Sequence, residues 1–266
     1  ARVVLIEAGE MGGDCLNHGC VPSKALIAAA AAAQGMREAG RFGLGAVEPE
    51  VDFAAVMDHV AEVIAGIAPH DSQERFEGLG VRVIRGHARF VDRDAVEVNG
   101  ERLTARRIVV AAGSRPFVPP VPGLAETGYL TNETVFGLRE RPEHLLILGG
   151  GPIGVELAQA FRRLGSRVTL VEGDAILGRE DPESVEVVRA ALLREGVTLR
   201  EGGTVEEAGA DDTGPWLLIG EDRIAGSHLL VATGRRTTVD RLNLEAAGIE
   251  LSGREIRVDA GLRTSN

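Results

Sequence analysis

Short apolar runs ending in glycine-bearing turns punctuate this chain, with stretches of helical period between them. Residues 2–7 read Arg-Val-Val-Leu-Ile-Glu and closely match residues 167–172, Arg-Val-Thr-Leu-Val-Glu. Residues 108–115 read Ile-Val-Val-Ala-Ala-Gly-Ser-Arg and match residues 229–236, Leu-Leu-Val-Ala-Thr-Gly-Arg-Arg. Apolar runs of this length suit buried parallel strands. Two matched pairs in the same order predict two related α/β domains. Between them, Pro22 to about Met36 reads as a helix with Pro22 in its first turn. Residues 51–78 read as helical, broken near Pro69. Residues 81–113 alternate strand-like runs with turns such as Asn99-Gly100 and predict an antiparallel patch. Residues 114–128, rich in Pro and Gly, read as a connector. A strand at 145–148, a helix over 153–164 and a strand ending at Glu172 predict a parallel βαβ unit. Asp181 is expected to cap a helix that has Pro182 at its first position, and strands are expected at 197–200 and 228–232. The chain starts at Ala1 already inside a strand and stops at Asn266 in mid-pattern, so it reads as part of a longer one.

The βαβ unit carries a motif with a mechanism. Residues 149–154, Gly-Gly-Gly-Pro-Ile-Gly, fit G-x-G-x-x-G between a strand and a helix. Gly149 allows the tight turn, Gly151 admits a pyrophosphate to the backbone, and Gly154 lets helix and strand pack closely. Pro152 and Ile153 open the helix, whose N-terminus offers partial positive charge to phosphates. Glu172 ends the next strand, where its carboxylate can accept from ribose hydroxyls. It would repel a 2′-phosphate, so NAD(H) is favoured over NADP(H). Glu7 holds the matching place in the first copy. Its glycine loop is expected about 20 residues upstream, before Ala1.

Cys15 and Cys20 are the chain's two cysteines, set in Gly12-Gly13-Asp14-Cys15-Leu16-Asn17-His18-Gly19-Cys20-Val21-Pro22-Ser23-Lys24. On one continuous helix they would stand about 140° apart, too splayed to join. Gly19 and Pro22 supply irregularity that can bring them together. The following helix points its N-terminus at the pair and favours thiolate, and Lys24 adds positive charge on roughly that face. A reducible disulfide is one reading. Two buried thiols, a metal site lacking ligands beyond Cys15, Cys20 and His18, and a structural staple are the others.

Composition narrows the partners. The chain has 266 residues, 44% hydrophobic, and a net charge of −11. That charge repels phosphate backbones, so nucleic acid is not an expected partner. No apolar run approaches the roughly 20 residues that span a bilayer. No signal peptide is recognisable at the start, and the expected compartment is the cytoplasm.

The segment from Gly12 to Lys24 resembles the redox-active segment of the pyridine nucleotide–disulfide oxidoreductases, most closely the dihydrolipoamide dehydrogenase and mercuric reductase-like branches. The resemblance extends over residues 86–88 (Gly-His-Ala), 112–116 (Ala-Gly-Ser-Arg-Pro), 120–124 (Pro-Val-Pro-Gly-Leu), the Gly149 loop and 232–235 (Ala-Thr-Gly-Arg). It implies an α/β fold of two Rossmann-like three-layer dinucleotide-binding domains, the NAD domain inserted in the FAD domain. The first part of the FAD domain would be 1–122, the NAD(P) domain 123–236, and the return to the FAD domain 237–266.

The resemblance also implies a relay between NAD(P)H and a small disulfide or dithiol, or a thiol-bound metal. Glu7, Gly12, Gly13, His87, Ala88, Ala112 and Gly113 would serve FAD. Gly149, Gly151, Pro152, Ile153, Gly154, Glu172 and Gly234 would serve NAD(H). Cys20 would face the flavin, Cys15 would attack the substrate, and Lys24 would pair with Glu156. No resident metal is implied, and the full-length protein would be a homodimer with its acid–base pair in a further domain. Two departures stand out: Asp14 where many relatives have Thr, and Thr237-Thr238 in place of Pro-Asn. Lesser readings are an NAD-binding module and a redox-sensing fragment without turnover.

Overall fold

A computed structural model describes residues 2–266; Ala1, expected inside the first strand, lies outside the described residues. In chain order, β1 (Val3–Glu7) leads to a short helix α1 (Gly13–Asn17) and the long α2 (Cys20–Arg37). Then come α3 (Phe53–Ile67) and α4 (Gln73–Gly78), joined by a 3-10 turn that contains Pro69. Strands β2 (Val81–Arg85), β3 (Arg89–Asp92), β4 (Ala95–Val98), β5 (Glu101–Thr104) and β6 (Ser114–Pro116) follow. The βαβ unit is β7 (His144–Leu148), α5 (Pro152–Arg163) and β8 (Arg167–Glu172). After it come α6 (Pro182–Arg194), β9 (Thr198–Glu201), β10 (Glu207–Asp211), β11 (Gly214–Ile219), β12 (Asp222–Ala225), β13 (His228–Val231) and β14 (Arg235–Thr237).

Contacts group these elements into two units. The first holds the stretch up to Asp14 together with Gly66–Arg115 and Arg235–Asn266; the second holds Cys15–Ala65 and Pro116–Gly234. The stretch from Cys15 to Ala65 therefore groups with the βαβ unit, although the motif reading places it in the first domain.

The second unit is built on a parallel sheet in the order β13-β7-β8-β9. Side chains alternate across it with period two, so each face has its own core. Leu145, Ile147, Val168, Leu170 and Leu230 face α2, α3, α5 and α6, where Phe161 is fully buried and its ring lies 5.9 Å from that of Phe53. Leu146, Leu148, Val171, Leu229 and Val231 face the antiparallel sheet β10-β11-β12 through Ala208 and Leu217. The result is three layers: helices, parallel sheet, antiparallel sheet. At the start of α6, the Asp181 side chain accepts from Ser184 N at 2.9 Å, as its position before Pro182 predicts.

The first unit is thinner. Among the described residues β1 pairs with β2 alone, in parallel, and β3-β4-β5 form a small antiparallel sheet. A modest core of Phe90, Leu244, Ala247 and Ile249 lies beside that small sheet. Asn243 ties the two parts of the chain by donating to Phe90 O at 2.8 Å.

Two expectations are corrected here. Residues 81–85 belong to a parallel pair, so the antiparallel patch begins at Arg89. Residues 108–111, expected to be a buried parallel strand, take no strand among the described residues, and Val109 is 87% exposed. Their counterpart β13 pairs with β7. An apolar run becomes a strand only where a partner backbone accepts its hydrogen bonds.

Candidate functional site

In the second unit the nucleotide loop is a tightly closed turn. Gly149 N donates to Val171 O at 2.8 Å, and Leu177 N donates to Gly150 O at 2.9 Å. Gly149 has φ +113°, and a Cβ there would meet Ala232 O at 2.4 Å. A Cβ on Gly154 would meet Gly149 O at 2.0 Å, so α5 rests directly on the turn. At Gly151, by contrast, a Cβ would meet nothing within 4 Å. The backbone there is open to an approaching group, with Pro152 at the first position of α5. These are the three glycine roles that the motif requires.

Gly150 contributes more than spacing. Its N–H donates to Glu172 Oε2 at 2.6 Å, while Asp174 N donates to Oε1 at 3.2 Å. A Cβ on Gly150 would press on Glu172 Cβ and Ile176 at 2.9 Å. The Glu172 carboxylate is thus oriented against the loop, and its remaining lone pairs can still accept. The motif treats this position as variable; a glycine between Gly149 and Gly151 was its only trace in the sequence. Gly234, at the other strand end, has φ +133° and accepts from Phe117 N at 2.9 Å.

The cysteine segment lies beside α5 in the same unit. Cys15 is on α1, Cys20 is the first residue of α2, and both are exposed. The helix breaks at His18 and Gly19, where Gly19 has φ −124° and ψ −114°, neither helical nor extended. Pro22 follows in the first turn of α2. Lys24 Nζ pairs with both carboxylate oxygens of Glu156, at 2.9 and 2.8 Å. With side chains 60% and 39% exposed, that pair adds under about 1 kcal/mol of stability, so it orients groups more than it holds α2 on α5.

In the first unit, of the expected FAD residues Glu7 ends β1 and His87 and Ala88 follow the end of β2. Glu7 Oε1 accepts from Gly9 N at 2.7 Å, and Glu7 O accepts from Gly86 N at 2.9 Å. Exposed His87 and half-buried Ala88 follow directly. Gly12 and Gly13 turn the chain with φ +83° and +59°. Ala112 and Gly113 offer their carbonyls to the Thr238 hydroxyl and Thr238 N, and the Thr237 hydroxyl donates to Arg254 O at 2.7 Å, so both residues of that departure have partners. Asp14 pairs with Arg235 at 3.1 Å, and Arg235 also donates to Ser114 Oγ at 2.7 Å. The sequence offered no signal for this pair beyond the unusual Asp.

At the far end of α5 from the loop, a cavity of ≈ 420 Å³ is lined by Arg37, Arg162, Arg163, Arg194, Glu38 and Glu195, among others. The arginines sit at the C-terminal turns of α2, α5 and α6, where cations offset the helix dipoles. Among the described residues no group of three or more His, Cys, Asp and Glu is placed to hold a metal ion. No helix among them is long and apolar enough to cross a membrane.

A family profile described as pyridine nucleotide-disulphide oxidoreductase matches residues 1–266. A mercuric reductase of Streptomyces lividans is 39% identical over 99% of this chain and 58% of its own length. One from Lysinibacillus sphaericus is 36% identical over 100% of this chain and 50% of its own. Among solved structures, the HOCl-induced flavoprotein disulfide reductase RclA of Escherichia coli superposes with a TM-score of 0.86 at 30% identity, covering 100% of this chain and 58% of that one. LpdA of Mycobacterium tuberculosis gives 0.87 at 25% identity. The chain thus spans about half the length of the curated relatives it matches.

Proposed function

The chain belongs to the pyridine nucleotide–disulphide oxidoreductases, and from that premise we propose that it is the nucleotide- and dithiol-bearing part of an FAD-dependent reductase of a small disulfide or of a thiol-bound metal. The observation that carries this reading is the Lys24–Glu156 pair. It joins the helix that starts at Cys20 to the helix that starts at the nucleotide loop.

The backbone at Gly149 and Gly151 and the start of α5 would hold a nicotinamide dinucleotide, with Glu172 accepting from its ribose. That carboxylate, with Asp174 close behind, favours NAD(H) over NADP(H) by repelling a 2′-phosphate. Glu7, Gly12, Gly13 and the backbone near His87, Ala88, Ala112 and Gly113 would hold FAD, and the mirrored placement of Glu7 and Glu172 supports this. FAD would supply the two-electron relay between the nicotinamide and the cysteines.

The chain's own chemistry is thiol exchange. Cys15, as thiolate, attacks one sulfur of the substrate disulfide and expels the other as a thiolate. Cys20 then attacks the mixed disulfide, closing the Cys15–Cys20 bond and freeing the second substrate thiol. Lys24 and the N-terminus of α2 favour the thiolate form at Cys20. The full-length protein would act as a homodimer in the cytoplasm.

The reading is tested by titrating the chain with NADH and NADPH by calorimetry. Tighter binding of NADH, lost in Glu172→Arg, is expected. In the longer flavin-loaded protein, reduction should give a long-wavelength thiolate-to-flavin band that Cys20→Ser abolishes. Binding of NADH without that band or any turnover would instead leave a nucleotide-binding or redox-sensing module.

A further inference from the structure

The break between the two cysteines is held from a distant part of the chain. Asn132 is buried, 6% exposed, and its Nδ2 donates to His18 O at 3.1 Å. His18 O lies just past the last residue of α1, among the carbonyls that a helix end leaves without an intrahelical donor.

The segment that delivers the amide is itself firmly fixed. Leu130 N donates to Leu229 O and Val231 N donates to Leu130 O, which fastens the segment to β13. Thr131 N donates to Thr134 Oγ1, Val135 N donates to Thr131 O, and Val135 is fully buried in the helical core. A rigid support thus presents one buried donor to the residue that interrupts the helix between Cys15 and Cys20.

We propose that Asn132 is a positioning residue for the cysteine pair: by gripping His18 O it holds open the helix break that lets Cys15 and Cys20 meet. The inference rests on the redox reading of the two cysteines given above. Pro22 has no N–H to give His18 O, so without the grip that carbonyl loses its donor and the segment between the cysteines is free to sample arrangements in which the two thiols stand apart. The effective concentration of one thiol at the other then falls, and the disulfide loses stability relative to the dithiol.

The 266-residue chain suffices for the test. Wild type, Asn132→Leu (equal in size, no donor) and Asn132→Gln are equilibrated in glutathione redox buffers, alkylated and weighed. Trp216 fluorescence in urea checks the fold. Asn132→Leu is expected to lower the equilibrium constant for forming the disulfide about tenfold, equivalent to about 30 mV, and Asn132→Gln to recover part of it. Equal constants in folded wild type and Asn132→Leu overturn the proposal. If wild type forms no Cys15–Cys20 disulfide in any buffer, the redox reading itself fails, and the inference with it. Should Asn132→Leu not fold, Asn132→Ser removes the reach of the donor with less bulk and decides the question in the same way.

Discussion

Strand β8 has β7 on one side and β9 on the other, whereas its sequence counterpart β1 pairs, among the described residues, with β2 alone. Strand β13 lies against β7, whereas its counterpart at 108–111 takes no strand. The two units thus carry nearly the same strand sequences with different outcomes. In the second unit the central partner β7 is present, and its Leu145, Leu146 and Ile147 are fully buried. In the first, Val3 and Val4 are 51% and 43% exposed. A strand sequence expresses a preference, and the neighbouring backbone decides whether it is realised.

The sharpest test of that contrast compares the two cores. Phe161→Ala, in the helical core of the second unit, should cost about 4 kcal/mol, because close-packed neighbours on every side cannot collapse into the space. Phe90→Ala in the thinner first unit should cost nearer the low end, about 3 kcal/mol. Urea unfolding followed by Trp216, which lies in the second unit, should register the first change strongly and the second hardly at all. Local opening at Phe90 is read by hydrogen exchange over β3–β5. Equal costs would break the contrast.

Ion pairs come next. Glu195, with its side chain 5% exposed, is bound by both Arg163 Nε and its terminal nitrogen at 2.7 Å. Arg163→Met leaves that carboxylate without its cation, with Gln159 Nε2 donating at 3.0 Å, and should cost about 3 kcal/mol. Arg82 and Glu101 in the first unit are 56% and 44% exposed, so Arg82→Met should change stability by less than about 1 kcal/mol.

Glycine substitutions should differ more modestly. Gly154→Ala drives a methyl into Gly149 O and should cost about 2 kcal/mol, with weaker NADH binding by calorimetry. Gly13→Ala meets open space and pays only for its positive φ, about 1 kcal/mol.

The smallest effect is on pH dependence. His144 and His228 both lie in the second unit, and burial lowers the pKa of each below the ordinary 6.5. Arg167 lowers His144 further. The unfolded chain therefore binds these protons more readily, and stability declines as pH falls through about 6.5. Carboxylates held by arginines, such as Asp240 beside Arg115 in the first unit, are depressed instead. Their contribution is present above the ordinary carboxylate range and is lost only as pH falls below about 4. Replacing both histidines with Asn should flatten the near-neutral slope of Trp216-detected stability and leave the acid limb in place.

Local chemistry made much of this readable from sequence. Asp181 before Pro182, the glycines of the 149–154 loop and the break at Gly19 each act through their own backbone geometry, and each stands where expected. What escaped depends on residues far away in sequence. Gly150 is set by the Glu172 it supports, Asp14 by Arg235, and His18 by Asn132. The run at 108–111 escaped for the same reason in reverse, since its apolar pattern carries no record of whether a partner strand is at hand.

The division into units also sets the order in which the residues of each unit are synthesised. The second unit needs nothing beyond Gly234, so its parallel sheet can close once β13 has emerged from the ribosome. The first unit must leave β1 waiting for β2, and its small core is incomplete until Leu244, Ala247 and Ile249 have been made. Asn243, whose side chain reaches back to Phe90 O, is the clasp on that late step. In synthesis the last strand of the second unit's parallel sheet therefore precedes the last core residues of the first unit.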